Sequence, residues 1–231
     1  MANIFLNPQS WSVICGIGTK EQATQAMDAV YEKLNTDYGI MLLAPPFKVI
    51  NGKVVGASLY NDGQKENAGI FCHPQGWAVM AEAMLGRGNR AYEYFSNFMP
   101  ARMNEMAEIR QIEPYVYCQS THSTYSKRFG ASRLPWLSGT ASWAYYAATQ
   151  YILGIRPEYD GITIDPCLPE KWKGFKVKRI FRGKILTIAV DNSAGKEKGV
   201  REININDQKI TGTKIPIGQL KERNDIRVIM G

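Results

Sequence analysis

Residues 74–79 read PQGWAV, and the same pattern occurs 66 residues earlier, where residues 8–13 read PQSWSV. About the same distance further on, residues 137–143 read LSGTASW and again place small residues and a Trp at a helix start. Self-similarity at a fixed period is typical of repeat architectures. The repeated unit of helix, turn, helix and long loop predicts an array of helical hairpins, either a solenoid or a toroid. The long loops all precede one set of helices, so they gather on one face, and this favours an α/α toroid with its cleft there.

The helices and loops of this array follow from the spacing of the apolar residues. Two long segments, 35–68 and 110–136, are predicted to be loops, and loops of this length in a compact domain are usually functional or disordered. Gly86-Arg87-Gly88 breaks a helix pair. Apolar residues at helical spacing predict helices over 19–34, 75–85, 89–98 and 139–153.

After residue 156 the pattern changes to short alternating segments divided by Gly and Asn turns, which predicts a β-sandwich or part of one. The last twenty residues indicate a strand and a weakly specified tail. The predicted strands cover residues 162–165, 176–180, 185–190 and 201–205. The expected fold is therefore mainly α with a C-terminal β domain, divided into residues 1–156 and 157–231.

The 231 residues carry a formal net charge of +7, and the basic excess is concentrated late in the chain. Residues 171–184, KWKGFKVKRIFRGK, hold seven cationic residues and no acid. Such a run could bind nucleic acid or a membrane surface. Its cations alternate with aromatic and aliphatic residues, which favours the solvated face of strands instead. We therefore expect neither a nucleic acid nor a membrane as partner.

The four cysteines, Cys15, Cys72, Cys118 and Cys167, are widely spaced and have apolar or aromatic neighbours, as buried free thiols do. With two histidines and no cysteine cluster, we expect no metal site. The sequence contains no signal-peptide pattern and no apolar run long enough to span a bilayer. A reducing, cytoplasmic compartment is the expectation.

Two helix entries carry candidate anion ligands. His73 directly precedes Pro74, and Ser138-Gly139-Thr140 opens the third repeated helix. Unpaired N–H groups and the helix dipole at such positions favour negative charge, and a histidine beside them would suit phosphate. The alternatives are a packed core histidine and a plain helix cap.

The two long loops are rich in groups that suit carbohydrate. Residues 60–67 and 113–123 combine aromatic rings, which stack on sugar faces, with amides and hydroxyls, which bind vicinal hydroxyl groups. Interior polar packing between helices explains the same residues equally well. Glycosidases require two carboxyl groups beside the bond. Asp62, Glu66 and Glu113 are candidates, but nothing local distinguishes any of them as an acid.

Five stretches resemble the inverting β-glycoside phosphorylases of glycoside hydrolase family 94, which include cellobiose, laminaribiose and N,N′-diacetylchitobiose phosphorylases. The resemblance runs from about residue 3 to 190. Its motifs are IFLNPQSW (4–11), GQKENAGIFCHPQGWAVMAEAMLGRGNRAYEYF (63–95), IEPYVYCQSTHSTYS (112–126), WLSGTASW (136–143) and QYILGIRPEYDGITIDPCLPEKWKGF (150–175). The resemblance implies an (α/α)6 barrel followed by a β-sandwich. It also implies cleavage of a β-linked disaccharide by inorganic phosphate, with inversion and without a cofactor.

The resemblance also implies roles for individual residues. His73, Ser138 and Gly139 match the family's phosphate ligands, with Ser138 standing where the family has Thr. Lys65 of the KEN motif and Gln119 match donor-sugar ligands. Tyr60 matches an aromatic residue on the acceptor side. The family's general-acid Asp lies roughly a hundred residues upstream of the first helix here, so we expect no catalytic residue in this chain.

The chain thus resembles the C-terminal portion of such an enzyme, about half a barrel and the sandwich. Half a barrel would expose its core, so we expect a homo-oligomer or a partner fragment that supplies the N-terminal part. The isolated chain is expected to be inactive. The alternative, from a different class, is a non-catalytic carbohydrate-binding or assembly module. Which disaccharide is cleaved stays open at this point.

Overall fold

The computed structural model of the protein describes residues 2–48 and 55–231. The chain divides into two compact units. The first comprises Met1–Leu85 and Glu93–Ala147, and the second comprises Gly86–Tyr92 and Ala148–Gly231. Every candidate site residue belongs to the first unit.

Three of the four helices expected from apolar spacing are confirmed as α2, α4 and α5. Thr19 caps α2 through a reciprocal pair of hydrogen bonds with Gln22, of 3.3 and 2.9 Å. The helix expected over 139–153 changes character, because α8 ends at Tyr146 and a π-helical segment, Ala147–Ile152, continues it. The helices of the described ranges are α1 (Leu6–Ile14), α2 (Lys20–Leu34), α3 (Val55–Ser58), α4 (Gln75–Met84), α5 (Gly88–Phe98), α6 (Pro100–Met103), α7 (Ala107–Arg110) and α8 (Thr140–Tyr146).

The repeated tryptophans pack against one another. Helix α4 lies between α1 and α8. The rings of Trp11 and Trp77 meet edge to face at 5.3 Å between centroids, and those of Trp77 and Trp143 meet at 5.7 Å. A Cβ atom on Gly76 would lie 3.0 Å from the Cβ atom of Trp143, so the small residue lets α4 and α8 approach closely. The 66-residue repeat therefore corresponds to three helices that stand side by side.

The segments predicted as loops contain short strands, so the first unit combines helices with small sheets where only helices and loops were expected. Strand β1 pairs with β4, β2 pairs with β3, and β5, β6 and β7 form a three-stranded antiparallel sheet. Strands of two to four residues are too short for period-two alternation to be visible in a sequence. Residues 49–54 of the first predicted loop lie outside the described residues. The strands are β1 (Ile4–Phe5), β2 (Asn35–Thr36), β3 (Gly39–Ile40), β4 (Leu43–Ala44), β5 (Ile70–Phe71), β6 (Cys118–Thr121) and β7 (Ser132–Pro135).

The second unit consists mainly of strands, as the alternating segments predicted. A five-stranded sheet has the order β10-β11-β15-β12-β13, and a three-stranded sheet has the order β14-β9-β8. The final strand, β15, pairs parallel with β11 and antiparallel with β12, so the chain's end is a central strand rather than a tail. The strands are β8 (Ile155–Pro157), β9 (Gly161–Ile164), β10 (Gly174–Phe181), β11 (Lys184–Asp191), β12 (Val200–Ile205), β13 (Gln208–Ile210), β14 (Lys214–Pro216) and β15 (Arg223–Met230).

The basic stretch of residues 171–184 falls largely on β10. Lys176 and Lys178 are exposed, whereas the intervening Val177 is half-buried and Phe181 is buried. Lys176 and Lys178 therefore lie on the solvated face of a strand, as expected, whereas Arg179 is half-buried and donates to the carbonyl oxygen of Ile155 at 3.0 Å. The burial expected for all four cysteines is wrong for Cys15, which is exposed; the other three are buried.

Candidate functional site

The turn that carries His73 is held in place by a buried glutamine. Strand β5 ends at Phe71 and α4 begins at Gln75. The Gln75 amide donates to the carbonyl oxygens of Ile40 and Phe71, both at 2.9 Å, and accepts from the Ile40 N–H at 2.7 Å. Three hydrogen bonds from one buried side chain therefore fix the turn against β3. Sequence reasoning did not identify Gln75, although Gln9 precedes the equivalent Trp in the first repeat.

The imidazole of His73 lies half-buried between two tryptophan rings and a glycine. Its ring meets that of Trp77 edge to face at 5.3 Å, and the ring of Trp143 lies 6.2 Å away. A Cβ atom on Gly139 would lie 2.6 Å from Cε1 and 2.7 Å from Nδ1 of His73. The structure thus brings together His73 and Gly139, which are 66 residues apart in the chain.

Ser138 acts as a local cap at the start of α8. Its Oγ accepts from the Thr140 N–H at 3.0 Å and is also in contact with the Thr140 hydroxyl. The buried Thr140 hydroxyl donates to the carbonyl oxygen of Cys118 at 3.2 Å, so the contact between the two hydroxyls uses the proton of Ser138. To bind an anion, the Ser138 hydroxyl would have to rotate. Thr140, which connects this helix start to β6, was not singled out from the sequence.

Gln119 lies in β6, next to the strand that leads to His73. Its carbonyl oxygen accepts from the Cys72 N–H at 2.8 Å, which extends the β5–β6 pairing to the residue before His73. Its side chain is half-buried, and within the described residues no protein group hydrogen-bonds to its amide. The Gln119 amide is therefore available to a ligand.

Lys65 and Tyr60 form a second pair on the loop that precedes β5. The Lys65 ammonium lies 5.2 Å from the centroid of the Tyr60 ring, a cation–π arrangement. Lys65 has a φ of +44°, a backbone conformation that non-glycine residues rarely adopt. Strain of this kind is often found at functional sites.

Asn67 organises this loop, and sequence reasoning overlooked it. Its buried amide donates to the carbonyl oxygens of Tyr60 at 2.8 Å and Phe47 at 3.0 Å, and it accepts from the Phe47 N–H at 2.7 Å. The KEN motif was the available signal, because Asn67 is its third residue.

The same loop docks on the segment after β6. The Ser123 N–H donates to the carbonyl oxygen of Gly63 at 2.9 Å. Gly63 has a φ of +74°, and a Cβ atom there would lie 2.6 Å from the backbone nitrogen of Ser126. The loop of Lys65 and the strand of Gln119 are therefore joined through backbone contacts.

The three carboxyl groups considered from the sequence have different surroundings. Asp62 forms an ion pair with Lys48. Hydrogen bonds from its own backbone N–H and from the Trp136 indole hold the pKa of Glu113 below its usual value. One oxygen of Glu66 is buried without a hydrogen-bond partner among the described residues. Six carboxyl groups of the described residues have a lowered pKa: Glu21, Glu113, Glu158, Asp160, Asp191 and Glu202.

The second histidine, His122, has a structural setting. The ring Nδ1 of His122 lies 2.8 Å from the Ser126 hydroxyl, and the backbone N–H of His122 donates to the carbonyl oxygen of Ala131. Burial first, and then Arg133 and Arg128, hold the pKa of His122 below its usual value. Within residues 2–48 and 55–231, no group of three or more His, Cys, Asp or Glu residues is arranged to hold a metal ion. In the same ranges, no helix is both long and apolar enough to cross a membrane.

Comparison with known proteins gives two family matches. The glycosyl hydrolase 94 superfamily catalytic domain matches residues 1–154, and the C-terminal domain of glycosyl hydrolase family 65 matches residues 155–211. Among solved structures, a family GH92 α-mannosidase from Bacteroides thetaiotaomicron is 14% identical over 98% of this chain and 24% of that one. Its TM-score of 0.36 is too low to establish a shared fold.

Curated relatives match along nearly the whole chain. An N,N′-diacetylchitobiose phosphorylase from Vibrio furnissii is 40% identical over 229 residues, which is 99% of this chain and 28% of that protein. A solabiose phosphorylase from Paenibacillus borealis is 33% identical over 215 residues, which is 93% of this chain and 28% of that protein. The chain therefore spans 28% of the length of these relatives.

Proposed function

The chain belongs to glycosyl hydrolase family 94, and from this membership we propose that it is the C-terminal portion of a glycoside phosphorylase. In the proposed reaction, inorganic phosphate attacks the anomeric carbon of a β-linked disaccharide with inversion. The bond to the leaving sugar breaks, and an α-sugar 1-phosphate forms. Phosphate replaces the base-activated water of an inverting hydrolase, so the reaction needs one carboxyl group as general acid and no cofactor.

The contact between His73 and Gly139 carries the proposal. The imidazole and the backbone at Gly139 lie together, and the Ser138 hydroxyl, once rotated away from Thr140, adds a further donor suited to phosphate oxygens. A core histidine would be enclosed by side chains, whereas His73 is half-buried. We therefore assign His73, Ser138 and Gly139 to phosphate binding.

The donor sugar is assigned to Lys65 and Gln119. The Lys65 ammonium is not engaged in an ion pair among the described residues, and the Gln119 amide has no protein partner there, so both retain their hydrogen-bonding capacity. Tyr60, whose ring lies beside Lys65, is assigned to the acceptor side.

The general acid is assigned to the part of the enzyme that this chain does not contain. A general acid must be protonated near neutral pH, which in a carboxyl group requires a raised pKa. The pKa of Glu113 is lowered instead, so Glu113 is unsuited to this role. We propose a partner N-terminal fragment or a homo-oligomer as the source of the missing barrel helices.

The architecture we propose is part of an (α/α)6 barrel over residues 1–156, followed by a β-sandwich over residues 157–231. The stacked helices α1, α4 and α8 support the barrel, and the meeting of the two family matches at residues 154 and 155 supports the division. We propose the cytoplasm as the compartment, because three of the four cysteines are buried as free thiols. Among substrates, we favour an N,N′-diacetylchitobiose-type disaccharide, because the relative that acts on it is 40% identical.

Phosphate titration followed by NMR tests the assignment of His73. The chain has two histidines, so histidine-selective labelling gives two sets of ring signals. We expect phosphate to shift those of His73 in a saturable way and to leave those of His122 unchanged. Losing one hydrogen bond to a charged oxygen costs about 1.5–3 kcal/mol, so His73→Ala should weaken phosphate binding by roughly ten- to a hundredfold.

His122→Gln is the matched control and should bind phosphate as the parent chain does. Equal affinity in His73→Ala and the parent chain would contradict the assignment. Sugar binding that neither needs nor responds to phosphate would favour the alternative, a non-catalytic carbohydrate-binding module.

A further inference from the structure

Two buried cysteines touch each other directly beside the candidate site. The Sγ atoms of Cys72 and Cys118 are 3.4 Å apart, and the residues are 4% and 3% exposed. Cys72 follows β5 and Cys118 begins β6, so the β5–β6 pairing holds them together. The sequence predicted separate buried thiols, because the two cysteines are 46 positions apart in the chain.

The surroundings of the pair favour one thiolate and one thiol. A hydrogen bond from the Cys72 thiol, assisted by the hydroxyls of Ser132 and Thr121, lowers the pKa of Cys118 to about 6 despite its burial. The same hydrogen bond and burial raise the pKa of Cys72. A thiolate is the nucleophilic form of cysteine, and the lowered pKa marks Cys118 as the more reactive member.

A small cavity adjoins both sulfur atoms. Its volume is about 10 Å³, which is room for about one water molecule. The buried guanidinium of Arg110 also lines it, donating to the carbonyl oxygens of Glu113 at 3.0 Å and of Val116. This space is far too small for a bulky disulfide oxidant, and hydrogen peroxide, a molecule of only two oxygen atoms, needs the least movement of the lining side chains to enter it.

We propose that Cys72 and Cys118 form a redox modification site at which hydrogen peroxide converts the dithiol to a disulfide. The Cys118 thiolate attacks one peroxide oxygen, the O–O bond breaks, and the departing hydroxide takes up a proton to leave as water. The resulting sulfenic acid is attacked by the Cys72 sulfur, which loses its proton, and hydroxide leaves as a second water. Two thiols and one peroxide thus yield one disulfide and two waters, with two electrons passing from sulfur to oxygen.

Formation of the disulfide changes the geometry next to the candidate ligands. The sulfur atoms must approach from 3.4 Å to about 2.05 Å, which brings the two Sγ atoms about 1.4 Å closer together. Cys72 adjoins His73 and Cys118 adjoins Gln119 in the chain. The His73 imidazole has no free space on the side of Gly139, so a shift of the turn between β5 and α4 displaces the ring from its present position. The expected effect on phosphate binding rests on the proposed function, whereas the disulfide does not.

Peroxide treatment of the reduced full chain tests the modification itself. A variant with Cys15→Ser and Cys167→Ser retains only the pair, and intact mass should fall by about 2 Da on disulfide formation, the mass of the two hydrogens lost. Peptide mapping should join the peptide of Cys72 to that of Cys118, and reduction by dithiothreitol should restore the mass. Cys72→Ser and Cys118→Ser should each abolish the loss of mass. Thermal unfolding shows which of these variants is folded, and one folded variant is sufficient for the test.

The proposal is overturned if the pair stays reduced in peroxide, or if Cys118 accumulates as sulfenic or sulfinic acid without the cross-link. The phosphate-induced shift of the His73 signals, compared in reduced and oxidised chain, then tests the coupling. We expect binding to weaken roughly tenfold on oxidation, equivalent to about 1.4 kcal/mol, and to recover on reduction. A reduced chain that does not bind phosphate would contradict the proposed function while leaving the mass result intact.

Discussion

At the scale of single residues, the position of the His73 ring depends on the absence of a side chain at Gly139. The imidazole occupies the volume that any β-carbon at residue 139 would need. Trp77 and Trp143 limit movement of the ring on other sides. The glycine therefore positions the candidate phosphate ligand through its small size, in addition to any contact its backbone makes with phosphate.

Gly139→Ala should displace the His73 ring. Residue 139 has a φ of −79°, which alanine adopts freely, so the effect comes from the clash of the new β-carbon with Cε1 of His73, at 2.6 Å, and not from backbone strain. Overpacking of this kind costs about 1–3 kcal/mol. We expect changed His73 NMR signals, weaker phosphate binding and a lower free energy of unfolding in denaturant titrations.

Gly218→Ala is the matched control, because a β-carbon there meets nothing within 4 Å. It should leave stability and the His73 signals close to those of the parent chain. Unchanged His73 signals in Gly139→Ala would show that the glycine does not determine the ring position.

At the scale of elements, the loop before β5 is held by one side chain. The Asn67 amide makes three hydrogen bonds to the backbone of Phe47 and Tyr60, and its loop docks on Ser123. The strained Lys65 backbone lies within this loop. Its conformation therefore depends on Asn67 in addition to the backbone hydrogen bonds within the loop, such as that from the Gly63 N–H to the Asn67 carbonyl oxygen.

Asn67→Ala should release the loop. It removes three buried hydrogen bonds and leaves backbone groups unsatisfied, which at about 1 kcal/mol per bond amounts to roughly 3 kcal/mol. At 2–4 °C per kcal/mol for a chain of this size, the Tm of the first unit should fall by roughly 6–12 °C in calorimetry. Asn61→Ala, in an exposed position of the same loop, should leave the Tm unchanged. An equal loss in both variants would contradict the role of Asn67.

At the scale of the whole molecule, the chain exposes aromatic and aliphatic groups close to the candidate site. Tyr115, Trp136 and Leu137 are 71%, 67% and 65% exposed, and the rings of Trp136 and Tyr115 meet edge to face at 5.9 Å between centroids. The curated relatives contain more than three times as many residues as the chain matches. Both observations support the association with a further part that is proposed above.

The isolated chain should therefore fail to catalyse phosphorolysis. With phosphate and N,N′-diacetylchitobiose, laminaribiose or cellobiose, we expect the chain alone to release no sugar 1-phosphate. We expect sugar 1-phosphate to be released once the N-terminal remainder of the Vibrio furnissii relative is added. His73→Ala should reduce the restored rate, and His122→Gln should not. Phosphate-dependent release by the pure chain would contradict the assignment of the acid to another part.

Most of the elements were predictable because their patterns are local. The helical spacing of apolar residues predicted α2, α4 and α5, and the Gly86–Gly88 break predicted their boundary. Alternation predicted β10, β11 and β12. The short strands of the long loops and the π-helical continuation of α8 were missed, because elements of two to six residues carry too few positions for a period to be detected.

The sequence by itself determined the repeated helices, the change from helices to strands near residue 156 and the family to which the chain belongs. Only the tertiary structure decided that β15 lies between β11 and β12, that Cys72 touches Cys118, and that Asn67 holds Phe47 and Tyr60. The physical reason is that local periodicity specifies which face of an element is apolar. The partner of that face, and of each polar group beneath it, is chosen by packing between residues far apart in the chain.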